Sequence, residues 1–225
     1  MQAIVPLTGE PRFRSYPFGL TLDGPLAHAV EDARILIGRT EGRFDGPIAF
    51  CHGVSPDEAI LRRAGRYAEA TVVFEEPSLA YRIGFALGVQ LFVEHRDGPT
   101  LFQLRGPSIG RDPLLWTASA SGGLKPGETP REAIVADAAE EMGLYEDDLR
   151  GFRPVAVVVN DDSGSALVVY HARLRDGAEP TPDDVKVAEL RWATDPGEIG
   201  AQVSADTLAC WSALERSRAT ARAPT

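Results

Sequence analysis

The sequence predicts an α/β protein, with strand-like apolar runs interleaved with helical stretches and concentrated in its second half. Three observations support this. The composition is that of a globular chain, 44% apolar and 25% charged over 225 residues, which is enough for one domain and a sizeable extension. Runs such as 83–94 and 166–174 are long, apolar and bounded by turn residues, as strands are. Between such runs lies a helix whose two ends are both specified locally, by Thr129 and Gly143.

From the N-terminus, residues 1–20 show no clean period and carry Pro6, Pro11 and Pro17, so they read as an arm. Leu26, Val30, Ala33 and Ile37 recur every three to four residues behind Pro25, a residue suited to a first helical turn, and predict a helix over 25–37. Residues 47–51 are a short strand candidate. Ser55-Pro-Asp-Glu58 has capping-box spacing and predicts a short helix through Ala64, followed by a strand over 67–75. The run 83–94, the turn Asp97-Gly98-Pro99 and the run 100–104 predict a hairpin. A Gly-rich loop leads into a helix over 130–142, and strands follow at 154–160, 166–174 and 187–193. Leu208, Trp211 and Leu214 then share one face of a C-terminal helix over 204–217.

Charge and cysteine content exclude several classes. With 33 acidic and 23 basic residues the chain carries −10, which repels a nucleic-acid polymer, although a few local arginines or a bound cation can still hold a small phosphorylated ligand. Cys51 and Cys210 are the only cysteines, far apart and outside any Cys-x-x-Cys spacing, so neither a disulfide framework nor a thiolate zinc site is expected. His28, His52, His95 and His171 are scattered without ligand spacing. No signal peptide or membrane span is apparent, and a soluble, cytoplasmic protein is expected.

One segment carries the chemistry, from Gly122 to Leu144. Thr129 is an N-cap candidate, Pro130 sits at the first helical position, Glu132 completes a capping box and Gly143 follows the helix end. Asp137, Glu140 and Glu141 stand at i, i+3 and i+4, so three like charges share one face, which must look into solvent or onto cations. Hard oxygen ligands at that spacing suit Mg²⁺ or Mn²⁺, which keep several waters and share their sphere with substrate phosphates. Glycines 122, 123 and 127 allow a tight loop that brings a backbone carbonyl toward the same site.

This segment resembles the box of the Nudix hydrolases: Gly, five residues, Glu, seven residues, Arg-Glu, an aliphatic, any residue, Glu-Glu, any residue, Gly, aliphatic. It matches at Gly122, Glu128, Glu140, Glu141, Gly143 and Leu144, while Ala136 replaces the Arg and Asp137 the Glu beside it. The likeness covers residues 80–225 and leaves 1–79 as an N-terminal α+β extension, suited to walling off substrate or pairing two subunits. The resemblance implies an α/β/α sandwich around a mixed sheet. It also implies Mg²⁺- or Mn²⁺-dependent hydrolysis of a diphosphate linkage in a nucleoside diphosphate derivative, a nucleotide sugar first and a nucleoside triphosphate next. A nucleotide-binding or regulatory domain without turnover is the alternative that the altered box raises. The implied metal ligands are the Ser121 carbonyl, Asp137, Glu140 and Glu141. The general base would be Glu141, Glu140 or the loop carboxylate Glu198. Arg105 would contact phosphate, and Trp116 is a candidate for stacking on a base, with a core position as its other reading.

Overall fold

The computed structural model describes residues 2–16, 20, 22–40, 44–55, 59–183, 185–200 and 202–222. In chain order the elements are β1 (Gln2–Pro6), β2 (Arg12–Ser15), α1 (Gly24–Arg39), β3 (Pro47–Val54), β4 (Ala59–Arg66), α2 (Tyr67–Glu75), the single turn α3 (Ala80–Ile83), β5 (Phe85–Glu94), β6 (Thr100–Arg105), β7 (Trp116–Thr117), β8 (Ala120–Gly123), α4 (Pro130–Met142), β9 (Leu149–Asn160), β10 (Ser165–Leu174), β11 (Val187–Ala193) and α5 (Ala205–Arg222). The strands join one mixed sheet whose main path runs β1-β9-β10-β5-β3-β4-β2, with β6, β7, β8 and β11 branching from it. The expected mixed sheet with flanking helices is therefore present. No described helix is long and apolar enough to cross a membrane.

Alternation along β10 shows how the layers form. Ala166, Val168, Tyr170 and Ala172 face a core shared with α1, α2 and α4, whereas Leu167 and Val169 face a second core capped by Trp211 and Leu214 of α5. Both faces are covered, so the run 166–170 is apolar on both. Ile134 and Met142 of α4 are fully buried against the first core. Each such side chain stabilises the packed helix by about 1.5–3 kcal/mol. The two cysteines are divided between the cores, and burial pushes the Cys51 thiol up to about 11.

Two expectations are overturned by tertiary contacts. A short helix is expected through Ala64 and a strand over 67–75, but the structure has strand β4 and then helix α2. The capping-box residues 56–58 lie outside the described residues. Thr71, Val72 and Val73 favour strands, yet the first turn of α2 is closed by Glu69, which accepts from the Arg66 amide at 2.9 Å, and by Asp45, which accepts from the Ala68 amide at 2.8 Å. The expected arm also enters the sheet: β1 pairs antiparallel with β9 from Gln2↔Asn160 to Pro6↔Ala156, and β2 pairs parallel with β4. Strands from residues 1–79 are thus hydrogen-bonded into the same sheet as the rest of the chain.

Along one side β5 pairs with β10 from end to end, and along the other it is shared by β3, β8 and β6 in turn. Its central segment, Gly88–Leu91, holds β8 and so fixes the loop that leads into α4.

Candidate active site

Helix α4 has the ends its sequence specifies. The Thr129 hydroxyl accepts from the Glu132 amide at 3.2 Å, Glu132 accepts from the Thr129 amide at 2.9 Å, and Gly143 adopts φ 63°. Such a cap contributes about 0.5–2 kcal/mol and fixes the rotation at which the helix presents its side chains. Opposite lies β8, where the backbones crowd. A Cβ added to Gly122 would fall 2.0 Å from Asp137 Oδ2, and one added to Gly88 would fall 2.7 Å from the Gly122 carbonyl oxygen. Glycine is required here because the Asp137 carboxylate rests on the strand itself.

Glu141 is buried, at 8% exposure. Its Oε2 accepts from Gln103 Nε2 at 2.8 Å and from the Ser121 amide at 3.1 Å. Arg105 donates to the Ser121 hydroxyl at 2.9 Å, so Ser121 is gripped by both the acid and the base of the site. Glu140 diverges. One residue further back on the helix, about 100° around its axis, it is exposed and pairs with Lys186 Nζ at 2.6 Å. The structure therefore brings Asp137, Glu141, Ser121 and Arg105 together and turns Glu140 outward.

Electrostatics follow from this packing. Burial, and next the neighbouring Glu141 charge, push the Asp137 carboxyl up to about 7. Burial also raises Glu141, opposed by its bonds to Gln103 and Ser121 and by the Arg105 and Lys186 charges. Lys186 acts on Asp137, Glu140 and Glu141 alike and restores a cation to a helix whose box Arg is Ala136. It is held there by Asp183, which accepts from the Lys186 amide at 2.8 Å and donates its own amide to the Glu141 carbonyl at 3.0 Å. Sequence reasoning missed this role. The only hint was that the chain contains just two lysines, Lys125 and Lys186.

Two crowded carboxylates with raised pKa values are a donor set that a hard divalent cation would relieve. Among the described residues no group of three Asp, Glu, His or Cys side chains is placed to hold a metal. A cation here would draw on Asp137, Glu141 and loop carbonyl oxygen, with water and substrate phosphate completing its sphere, which is how Mg²⁺ is commonly held.

A cleft of about 180 Å³ opens beside Ser121 and Gly122, with Ile48, Phe74 and Leu167 on its apolar side and Arg105 and Arg111 on its polar side. Arg111, also missed from sequence, stacks 3.7 Å over the Phe74 ring and donates to Ser165 Oγ at 2.8 Å and Asp206 Oδ2 at 2.7 Å. Two other candidates fall elsewhere. Trp116 is 3% exposed in the α5 core, and its ring takes the Arg191 guanidinium at 4.7 Å, so no face is open to a base. Glu198 follows the end of β11 remote from Arg105, because Val187 pairs with Arg105 and Ala193 with Thr100. There it accepts from the Thr194 amide at 2.9 Å, serving a local turn.

No family model matches the chain. The isopentenyl-diphosphate Δ-isomerase of Nocardia farcinica is 30% identical over 156 residues, covering 67% of this chain and 85% of that protein. The isopentenyl-diphosphate Δ-isomerase of Corynebacterium diphtheriae is 38% identical over 76 residues, 34% of this chain and 40% of the relative. Among solved structures, a Deinococcus radiodurans protein superposes with a TM-score of 0.53 at 21% identity, covering 75% of this chain and 99% of its own, which shows a shared fold. A Nudix hydrolase from M. smegmatis aligns at 23% identity with a TM-score of 0.45, covering 62% of this chain and 88% of its own.

Proposed function

This chain belongs to the Nudix superfamily, and from that premise we propose that it is a divalent-metal-dependent hydrolase of a small diphosphate compound, a nucleoside diphosphate derivative. The observation that carries the proposal is the meeting of Asp137 and Glu141 with Ser121 and Gly122 of β8, beside Arg105 and the cleft that these residues line. Asp137, Glu141 and the Ser121 carbonyl would hold Mg²⁺ or Mn²⁺, with Glu140 joining them on release from Lys186. When bound, such a cation neutralises diphosphate charge and activates water.

The chain's own residues supply the remainder. Arg105, fixed by Ser121, offers its guanidinium to a phosphate oxygen, and a fork of donors suits that geometry. Glu141, held in one rotamer by Gln103 and Ser121, is oriented to take a proton from water at the loop. Ile48, Tyr67 and Phe74, all from residues 1–79, line the cleft, which supports the extension as the wall that reads the group attached to the diphosphate.

A second reading is isomerisation of a small unsaturated diphosphate, favoured by the 30% identity to an isopentenyl-diphosphate Δ-isomerase. Moving a double bond needs an acid and a base on carbon. Asp137 and Glu141 instead lie on one helix, and no Cys or His is among the described residues lining the cleft. Hydrolysis asks only for a placed water and neutralised charge, and is preferred.

The test is a panel of nucleotide sugars, nucleoside triphosphates and isopentenyl diphosphate, with Mn²⁺ and with chelator, followed by phosphorus and proton NMR. Metal-dependent cleavage of a nucleoside diphosphate derivative is expected. A shifted double bond without cleavage would establish the isomerase, and tight binding without turnover the regulatory domain.

A further inference from the structure

A second charged site lies at the other end of the sheet. Arg150 and Arg153 are three apart on β9, a spacing that in a regular strand sends side chains to opposite faces. Between them Gly151 takes φ 62°, and there the register slips: Arg153 lies opposite His171 and Arg150 opposite Arg173. Three steps on β9 thus match two on β10, a bulge that turns both arginines to the face carrying His171 and Arg173.

The result sets Arg150 directly across from Arg173, a like-charge pair that works against strand pairing unless an anion joins it. The neighbouring half-buried carboxylate of Glu94 is already engaged. Glu94 takes His171 Nε2 at 2.9 Å, Arg218 at 3.3 Å and Arg173 at 3.7 Å. Among the described residues the side chains of Arg150 and Arg153 find no hydrogen-bond or ion-pair partner. With Arg96 and Arg173 they line a groove of about 700 Å³ in which, among the described residues, Asp176 is the one acidic lining residue, and it pairs with Arg96 at 3.7 Å. Four arginines therefore converge in a chain of net charge −10.

This groove is remote from the carboxylate cleft. Ser165 at the start of β10 bonds Arg111 in the cleft, and His171 is six residues further along the strand, about 20 Å at the usual rise. Guanidinium forks match phosphate oxygens in pairs. No Phe, Tyr or Trp is among the described lining residues to stack on a base. We propose that the groove between Arg96, Arg150, Arg153 and Arg173 binds a compact polyphosphate at a site separate from the catalytic cleft.

Calorimetry with inorganic triphosphate, in chelator and low salt, tests this on the wild-type protein, on Arg150→Gln/Arg153→Gln and on Arg105→Gln in the cleft. Saturable binding that weakens at least tenfold in the double variant and persists in Arg105→Gln is expected. Because both groove side chains are exposed, matching thermal melts will show that the double variant is folded, and Arg150→Lys/Arg153→Lys should recover part of the affinity. Absence of saturable binding to wild type, or equal affinity in the double variant, would overturn the proposal. A nucleoside triphosphate run alongside identifies the source of the phosphates: equal affinity assigns the site to the phosphate chain alone, tighter binding to a carried one. Tighter binding of a ten-nucleotide single strand than of triphosphate would replace the compact ligand with a polymer.

Discussion

Replacing Gly122 with Ala tests the core of the site, because the three atoms nearest the added methyl all belong to the Asp137 carboxylate. Its Cβ would stand 2.0 Å from Asp137 Oδ2, 2.7 Å from Cγ and 2.9 Å from Oδ1. Ordinary contact begins near 3.4 Å, so the carboxylate has to retreat by more than an ångström. Gly122 is not among the glycines at positive φ, so the backbone accepts Ala. An off-rotamer Asp137 costs about 0.5–1.5 kcal/mol, partly offset by the roughly 0.4–1 kcal/mol that Gly→Ala gains by restricting the unfolded chain. Stability should therefore change by less than about 1 kcal/mol. A displacement of about 1 Å at a reacting centre, by contrast, can cost on the order of 100-fold in rate. The assay pairs thermal melts with Mn²⁺ titration and turnover, in Gly122→Ala, Asp137→Ala and the double variant. If the methyl acts through Asp137, the double variant should match Asp137→Ala alone, a coupling that independent sites do not show. Additive losses, or full metal affinity in Gly122→Ala, would refute the placement of Asp137 as a ligand. Gly127→Ala is the control, since φ 90° there makes any side chain strained while nothing lies within 4 Å of the new methyl.

Two further outcomes follow from the charges. With Asp137 raised from 3.8 to about 7, the folded protein in chelator retains a proton that the unfolded chain has lost across that window, so stability falls as pH rises from about 4 to 7. At ~1.4 kcal/mol per unit the fall is at most about 4 kcal/mol, and Asp137→Asn should flatten melting curves taken from pH 5 to 8.5 and raise the melting temperature at pH 8; a wild-type curve already flat would contradict the shift. Lys186→Met frees Glu140 from a contact of 2.6 Å and removes a cation facing the metal position. Mn²⁺ affinity by calorimetry should then rise two- to tenfold, the range of about 0.4–1.4 kcal/mol for a partly exposed pair plus a like charge, and a decrease would make Lys186 a structural support instead.

What the sequence determined about this protein was local. The ends of α4 were legible because a capping box and a left-handed glycine each work within a single turn, as Thr129, Glu132 and Gly143 do. The spacing of Gly122 from the acidic helix face carried the family resemblance, and the turn Asp97-Gly98-Pro99 closed its hairpin, with the His95 amide bonded to the Pro99 carbonyl at 2.7 Å. Tertiary structure decided the rest, through groups far apart in the chain. Segment 67–75 became a helix because Asp45, 23 residues upstream of Ala68, satisfies an amide of its first turn. Glu140 and Glu141 are equivalent as letters, but packing against β6 and β8 draws Glu141 inward to Gln103 and Ser121 and leaves Glu140 to Lys186. Trp116 stands in the α5 core and Glu198 at a turn beyond β11 for the same reason: a side chain's chemistry follows from its type, but what it faces follows from which strands lie beside it. Periodicity records that a face is apolar or acidic; only the paths of β5, β8 and β11 bring a particular loop, lysine or arginine to meet it.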